Sequence, residues 1–98
     1  MEKLKPHYPL AEVKRLIRVG AVEVTIAAVT GAAALDLAYN DILTTALALT
    51  HDDFYKSMTS YSDHRSWQDV YHPEIAAGKV YLKLTIKDAV LILSFKEL

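Results

Sequence analysis

Ninety-eight residues, 52% hydrophobic, with no cysteine and a net charge of −1, suit a single domain built on one apolar core. That balance excludes a disordered chain, a disulfide-stapled scaffold and a thiolate zinc site, and the longest uncharged run, Val24 to Leu35, is too short to cross a bilayer. The near-zero charge argues against a generic nucleic-acid coat but conceals a pattern: residues 1–20 carry net +3, residues 21–53 net −5 without a single base, and residues 54–98 net +1. A polyanion therefore has to bind where folding brings the two ends of the chain together.

The opening "MEKLKPHYPL" is charged and holds two prolines, unlike a secretory signal. With the lack of cysteine, this sets the expectation of a cytoplasmic protein. "YPLAEVKRLIRVG" reads as a helix, with Pro9 at its start and Gly20 as its stop. Leu10, Val13, Leu16 and Ile17 share one face. "TIAAVTGAAALDL" reads as a second helix interrupted by Gly31, and "NDILTTALALT" as a third with Asn40 as its N-cap. In "THDDFYKSM", Thr50 and Asp53 have capping-box spacing, which extends the helical expectation from Phe54 to Met58.

After Ser60 the texture changes. "SWQDVYH", "KVYLKLTI" and "AVLILSF" are rich in Val, Ile, Leu, Tyr and Trp between turn residues, so they read as strands. A two-residue turn at Lys87-Asp88 would set Ile86 opposite Ala89, Leu84 opposite Leu91, Leu82 opposite Leu93 and Val80 opposite Phe95. That row is apolar and faces the helices, while Tyr81, Lys83 and Thr85 share the other face with Ser94 and Lys96. Helices first and strands last predict an α+β fold, with the N-terminal helices on one face of a C-terminal antiparallel sheet and residues 1–98 forming one domain.

The segment "DFYKSMTSYSDHRSWQDVYHP" holds five of the nine aromatic residues, interleaved with Lys56, His64, Arg65, Gln68 and His72. His51, His64 and His72 lie among aspartates at spacings that match no familiar ligand motif, so no metal or other cofactor is expected. Ser57, Ser60, Ser62 and Ser66 lack the glycine frame of a nucleophile elbow. What remains is Tyr, Lys, Gln and Trp beside an open sheet face. Single-stranded RNA is bound by such sets: rings stack on bases, amides read base edges and cations hold phosphates. The bland rival places Phe54 and Trp67 in the core and leaves Lys56, Lys83 and Lys96 as ordinary solvated charges; the rival function is a protein-docking surface.

The run from Phe54 to Tyr71, followed by "GKVYLKLTI" and "VLILSFKE", resembles the MqsR toxins, the motility quorum-sensing regulators of bacterial toxin–antitoxin pairs. "MEKLKPHYPLAEVKRLI" fits the same pattern. The resemblance implies a fold related to the RelE and YoeB toxins and a ribonuclease that cuts messenger RNA at GCU-like sites. It also implies an MqsA-type antitoxin as partner, with no membrane attachment and no DNA binding by this chain alone. The family's activity residues correspond to Lys56, Gln68, Tyr81 and Lys96, with Tyr55, Met58, His72 and Lys83 expected to contact RNA. His72 stands where arginine can occur and Asp88 where histidine can, so His72 is expected to hold phosphate weakly at neutral pH.

Metal-free cleavage needs the RNA's own 2′-hydroxyl to attack the adjacent phosphate, leaving a 2′,3′-cyclic phosphate and a 5′-hydroxyl. Lys56 and Lys96 suit the phosphorane charge, Gln68 positions, and Tyr81 donates a proton or a hydrogen bond. Nearby lysines are expected to lower the Tyr81 pKa from about 10. The proton acceptor stays open among the histidines and a lysine of depressed pKa. An edge strand is expected to receive the antitoxin, the strand holding Gln68 to Tyr71 being the first candidate.

Overall fold

A computed structural model describes residues 1–98. In chain order it runs β1 (Glu2–Lys3), α1 (Leu10–Arg18), β2 (Val22–Val24), α2 (Ile26–Ala33), α3 (Tyr39–Leu47), a 3₁₀ turn (His51–Asp53), β3 (Phe54–Thr59), β4 (Trp67–Tyr71), β5 (Glu74–Ile75), β6 (Gly78–Lys87) and β7 (Ala89–Glu97). The sheet order is β1-β3-β4-β6-β7-β2, with β5 a short flange on β6. Every pairing is antiparallel except β2 with β7. This is the α+β arrangement expected. No helix is long and apolar enough to cross a membrane.

α1 buries Leu10, Val13 and Ile17. It ends in a Schellman turn: Gly20, at φ 82°, donates to the Ile17 carbonyl and Ala21 donates to that of Leu16. α2 starts at Thr25, whose hydroxyl accepts from Ala28 N–H and donates to the Leu93 carbonyl. Gly31 does not interrupt this helix. A Cβ there would lie 1.9 Å from the Phe95 carbonyl oxygen, so the missing side chain is what lets α2 lie against β7. The helix does stop short of the expected Leu37, with Asp36 in the left-handed region at φ 60°.

α3 begins earlier than its sequence suggested. Asn40 lies inside it, because the Asp41 carboxylate reaches back to the Ala38 N–H at 2.7 Å and sets the start there. Thr50 and Asp53 do bond as expected, the Thr50 N–H donating to Asp53 Oδ2 at 2.8 Å. Their box heads only one 3₁₀ turn, and Phe54 to Met58 is strand rather than helix. The Asp53 carbonyl accepts from His72 N–H at 2.7 Å, and Phe54 packs edge-on against Tyr71, so long-range pairing overrides the local helical signal.

The β6–β7 hairpin forms, but with a shifted register. Ile86 opposes Val90 instead of Ala89, and Lys87 opposes Ala89 around a left-handed Asp88 at φ 68°. "AVLILSF" is apolar at consecutive positions, so alternation alone cannot choose its buried side. Val90 and Ile92 are buried where Leu91 and Leu93 were expected. A bulge at Leu93 then adds one residue, so that Leu82 opposes Phe95 and both are buried. The three helices and this sheet face enclose one core, from Leu10 and Val13 through Ile42 and Ala46 to Leu82, Ile92 and Phe95.

Candidate active site

The opposite face of the sheet carries no helix, and two bulges decide what it presents. In β3, Phe54 opposes Tyr71 and Lys56 opposes Val70, which leaves Tyr55 as the extra residue. Tyr55 and Lys56 consequently both reach the open face, though neighbours in a regular strand point apart. The Leu93 bulge does the same service in β7, restoring Ser94 opposite Lys83 and Lys96 opposite Tyr81.

Three rows of side chains result. One runs Tyr55, His72, Tyr81, Lys96. The Tyr55 ring stacks on His72 at 4.2 Å, the His72 ring lies 5.8 Å from that of Tyr81, and Lys96 Nζ stands 5.3 Å from the Tyr81 ring centre. The second row is Lys56, Val70, Lys83, Ser94, opposed pairwise across four strands. Val70 is fully buried yet stands apart from the helix-side core, covered by its lysine neighbours. In the third row Met58 opposes both Gln68 and, on its other side, Glu2. A hollow of about 410 Å³ opens there, lined by Met58, Thr59, Ser60, Tyr61, Gln68 and Lys83.

All eight residues singled out from the sequence therefore meet on one surface, contributed by β3, β4, β6, β7 and the residue just after β4. Trp67 is absent from it. That ring is sandwiched on the N-terminal strap, stacked on His7 at 5.2 Å with Lys3 Nζ 4.2 Å from its centre. The strap is fixed from below by Asp69, which is fully buried and accepts from Ser57 Oγ at 2.6 Å, His7 N–H at 3.0 Å and Tyr8 N–H at 2.9 Å. Asp88 lies at the hairpin tip, the far end of β6 from Tyr81.

The electrostatics correct one expectation. Burial raises the Tyr81 pKa, outweighing the downward pull of Lys56, so the hydroxyl keeps its proton and suits donation. Burial, aided by Lys96, lowers the Lys83 pKa. Burial, aided by Lys79, also lowers that of His72, whose ring is thus uncharged at neutral pH and whose buried Nε2 has no partner. An uncharged ring stacked on Tyr55 is unsuited to holding a phosphate by charge. Lys56 is held fully charged by its hydrogen bond to Glu2, Nζ to Oε2 being 2.7 Å. Glu2 is the residue that reading the sequence missed. No local signal marks it, since its place beside Lys56 follows only from the pairing of β1 with β3.

Residues 5–97 match the family model described as "Motility quorum-sensing regulator, toxin of MqsA". The chain belongs to the MqsR toxin family. It is 48% identical over 97 residues to the "mRNA interferase toxin MqsR" of Escherichia coli (strain K12), an alignment covering 99% of each chain. In this member of the family the lysines, the protonated Tyr81 and the Gln68 amide share one cation-rich aromatic surface.

Proposed function

We propose that this chain is the toxin of a toxin–antitoxin pair, an endoribonuclease that cuts messenger RNA without a metal ion and so halts translation and growth. The observation that carries this reading is the convergence of Lys56, Lys83, Lys96, Tyr81 and Gln68, with flanking aromatic rings, on one uncovered sheet face. RNA lies across the strands, with bases on the Tyr55–His72 stack and in the hollow beside Met58 and Gln68. The scissile phosphate sits over the lysine row. There the attacking 2′-oxygen forms a bond to phosphorus and the 5′-oxygen leaves, giving a 2′,3′-cyclic phosphate and a 5′-hydroxyl.

Each group has a task suited to its chemistry. Lys56 and Lys96 face the growing negative charge, and at an effective dielectric of about 20 a charge pair 4 Å apart is worth roughly 4 kcal/mol. Tyr81 donates to the leaving oxygen. Gln68, which cannot titrate, holds the substrate in line. Membership of the family supports a GCU-like preference, action in the cytoplasm and neutralisation by an MqsA-type antitoxin, with residues 1–98 acting as one domain.

The test is purified protein with a defined RNA in excess EDTA. Cleavage with cyclic-phosphate ends is the expected result. Intact RNA would favour the rival reading, a non-catalytic docking module, and activity restored only by a divalent ion would overturn the mechanism.

A further inference from the structure

The proton of the attacking 2′-hydroxyl needs an acceptor, and most groups near the lysine row are unfit for it. Tyr81 retains its own proton. The His72 Nε2 is buried in a ring pressed between Tyr55 and Tyr81. Asp69 lies on the other side of the sheet, with both oxygens engaged by Ser57, His7 and Tyr8. Asp88 is remote, at the hairpin tip.

Glu2 is different. Its side chain is exposed, on the face that carries Lys56, and one carboxylate oxygen sits 2.7 Å from Lys56 Nζ. β1 holds it there: Glu2 opposes Met58, Lys3 opposes Ser57, and the Met1 carbonyl accepts from Thr59 N–H at 2.9 Å. An ammonium has three donors, so Lys56 can grip a phosphate oxygen while keeping Glu2. Two charge-assisted hydrogen bonds through one nitrogen place the carboxylate about 4–5 Å from that phosphate oxygen. The 2′-hydroxyl, on the carbon next to the one that bears the phosphorylated 3′-oxygen, falls within the same reach.

We propose that Glu2 is the proton acceptor of the cleavage reaction, positioned by Lys56. This rests on the ribonuclease reading above. The proton passes from the 2′-oxygen to the Glu2 carboxylate as the 2′-oxygen bonds to phosphorus. The bond from phosphorus to the 5′-oxygen breaks, and that oxygen takes the proton of Tyr81. Solvent then returns a proton from Glu2 to Tyr81. The groups that act on Glu2 are Lys56 on β3 and the N-terminal ammonium, and the hydrogen bond from Lys56 holds the carboxylate below its usual range. Lys83, partly desolvated, is the competing base, and it has the opposite pH signature.

Single-turnover cleavage in EDTA, measured against pH for wild type, Glu2→Gln, Glu2→Asp and Lys83→Met, tests this. Glu2→Gln is expected to lose about 10²-fold or more in rate, with an unchanged melting temperature. It should also bind an RNA carrying 2′-deoxyribose at the cleavage position at least as tightly as wild type does. Glu2→Asp is expected to recover part of the rate. The wild-type rate should stay flat through neutral pH and fall only in acid, below the usual glutamate range, because Lys56 holds the carboxylate low. A Glu2→Gln protein as fast as wild type or faster would make Glu2 a mere shield on Lys56 and overturn the proposal. So would a rate that climbs tenfold per pH unit through neutrality and loses that slope in Lys83→Met. Wild-type protein that leaves RNA intact would instead remove the ribonuclease reading, and this assignment with it.

Discussion

At the scale of single residues, Tyr81 and Leu82 make the sharpest contrast, because adjacent positions of β6 face opposite ways. Tyr81 is half-buried among Lys56, His72 and Lys96, whereas Leu82 is fully buried under the helices. Tyr81→Phe and Lys96→Ala are each expected to reduce cleavage strongly while moving stability by no more than about 0.5 kcal/mol. Leu82→Ala leaves a cavity and is expected to cost roughly 2–5 kcal/mol. Denaturant melts beside a cleavage assay check both; an early-melting Tyr81→Phe with an unaffected Leu82→Ala would reverse the facing. These residues were legible because strand alternation from Val80 to Leu84 sorts β6 into tyrosine and lysine against valine and leucine. Glu2 was not legible, since nothing in "MEKLK" hints that a strand 54 residues later will receive it. The Tyr81 pKa went the other way from expectation for a related reason: the lysines were visible in the sequence, the burial was not.

Among elements, the decisive joint is α2 against β7. Helix propensity alone says that Gly31→Ala should gain about 1 kcal/mol. The new Cβ would meet the Phe95 carbonyl oxygen at 1.9 Å and the Lys96 Cβ at 3.1 Å, and backbone on both sides leaves neither partner free to swing away. Overpacking of this kind costs roughly 1–3 kcal/mol, so the sterics win and Gly31→Ala is expected to destabilise. It is also expected to lose activity, because any shift of β7 carries Lys96 with it. Thr30→Ala, on the exposed side of the same helix, is expected to stabilise slightly, by up to about 0.7 kcal/mol. If urea midpoints moved the same way for both, the close approach would be wrong. The elements themselves were mostly readable, yet their errors share one cause. Phe54 to Met58 was assigned from a local capping signal, and Gly31 from its low helix propensity. Each was decided instead by a partner far along the chain, Tyr71 in one case and Phe95 in the other.

The whole molecule separates its surfaces: the open sheet face gathers lysines, the stretch of residues 21–53 supplies only acids, and two sheet edges stay unpaired. Those edges are β1 and β2. β4, which carries Gln68 to Tyr71, lies between β3 and β6 and offers no edge, so the strand first considered for antitoxin pairing is ruled out by the sheet order. That order was beyond the sequence, because β1 and β2 are too short to announce themselves. β1 pairs over two residues, with its Glu2 already engaged by Lys56. β2 is the better platform. Ala21 O and Thr25 N–H bond toward β7, so the intervening Val22 and Val24 turn their main-chain groups outward. Exposed Val19 and Ile26 flank them, ready to be covered by an added strand. On this reading the antitoxin adds a strand to β2, and the lysine row is not part of its footprint. Lys56→Ala and Lys96→Ala proteins, expected to be inactive, are then also expected to bind antitoxin nearly as tightly as wild type in calorimetric titration. Backbone amides of Val22 and Val24 are expected to exchange quickly in the free toxin and to be protected in the complex. Proline at either position, in a protein that still melts like wild type, should weaken the complex by deleting an outward donor. A loss of more than about 1.4 kcal/mol, tenfold in affinity, for either lysine variant would instead put the antitoxin in the catalytic surface. Protection confined to Glu2 would move it to β1, beside Lys56, where inhibition would act directly on the cleavage machinery.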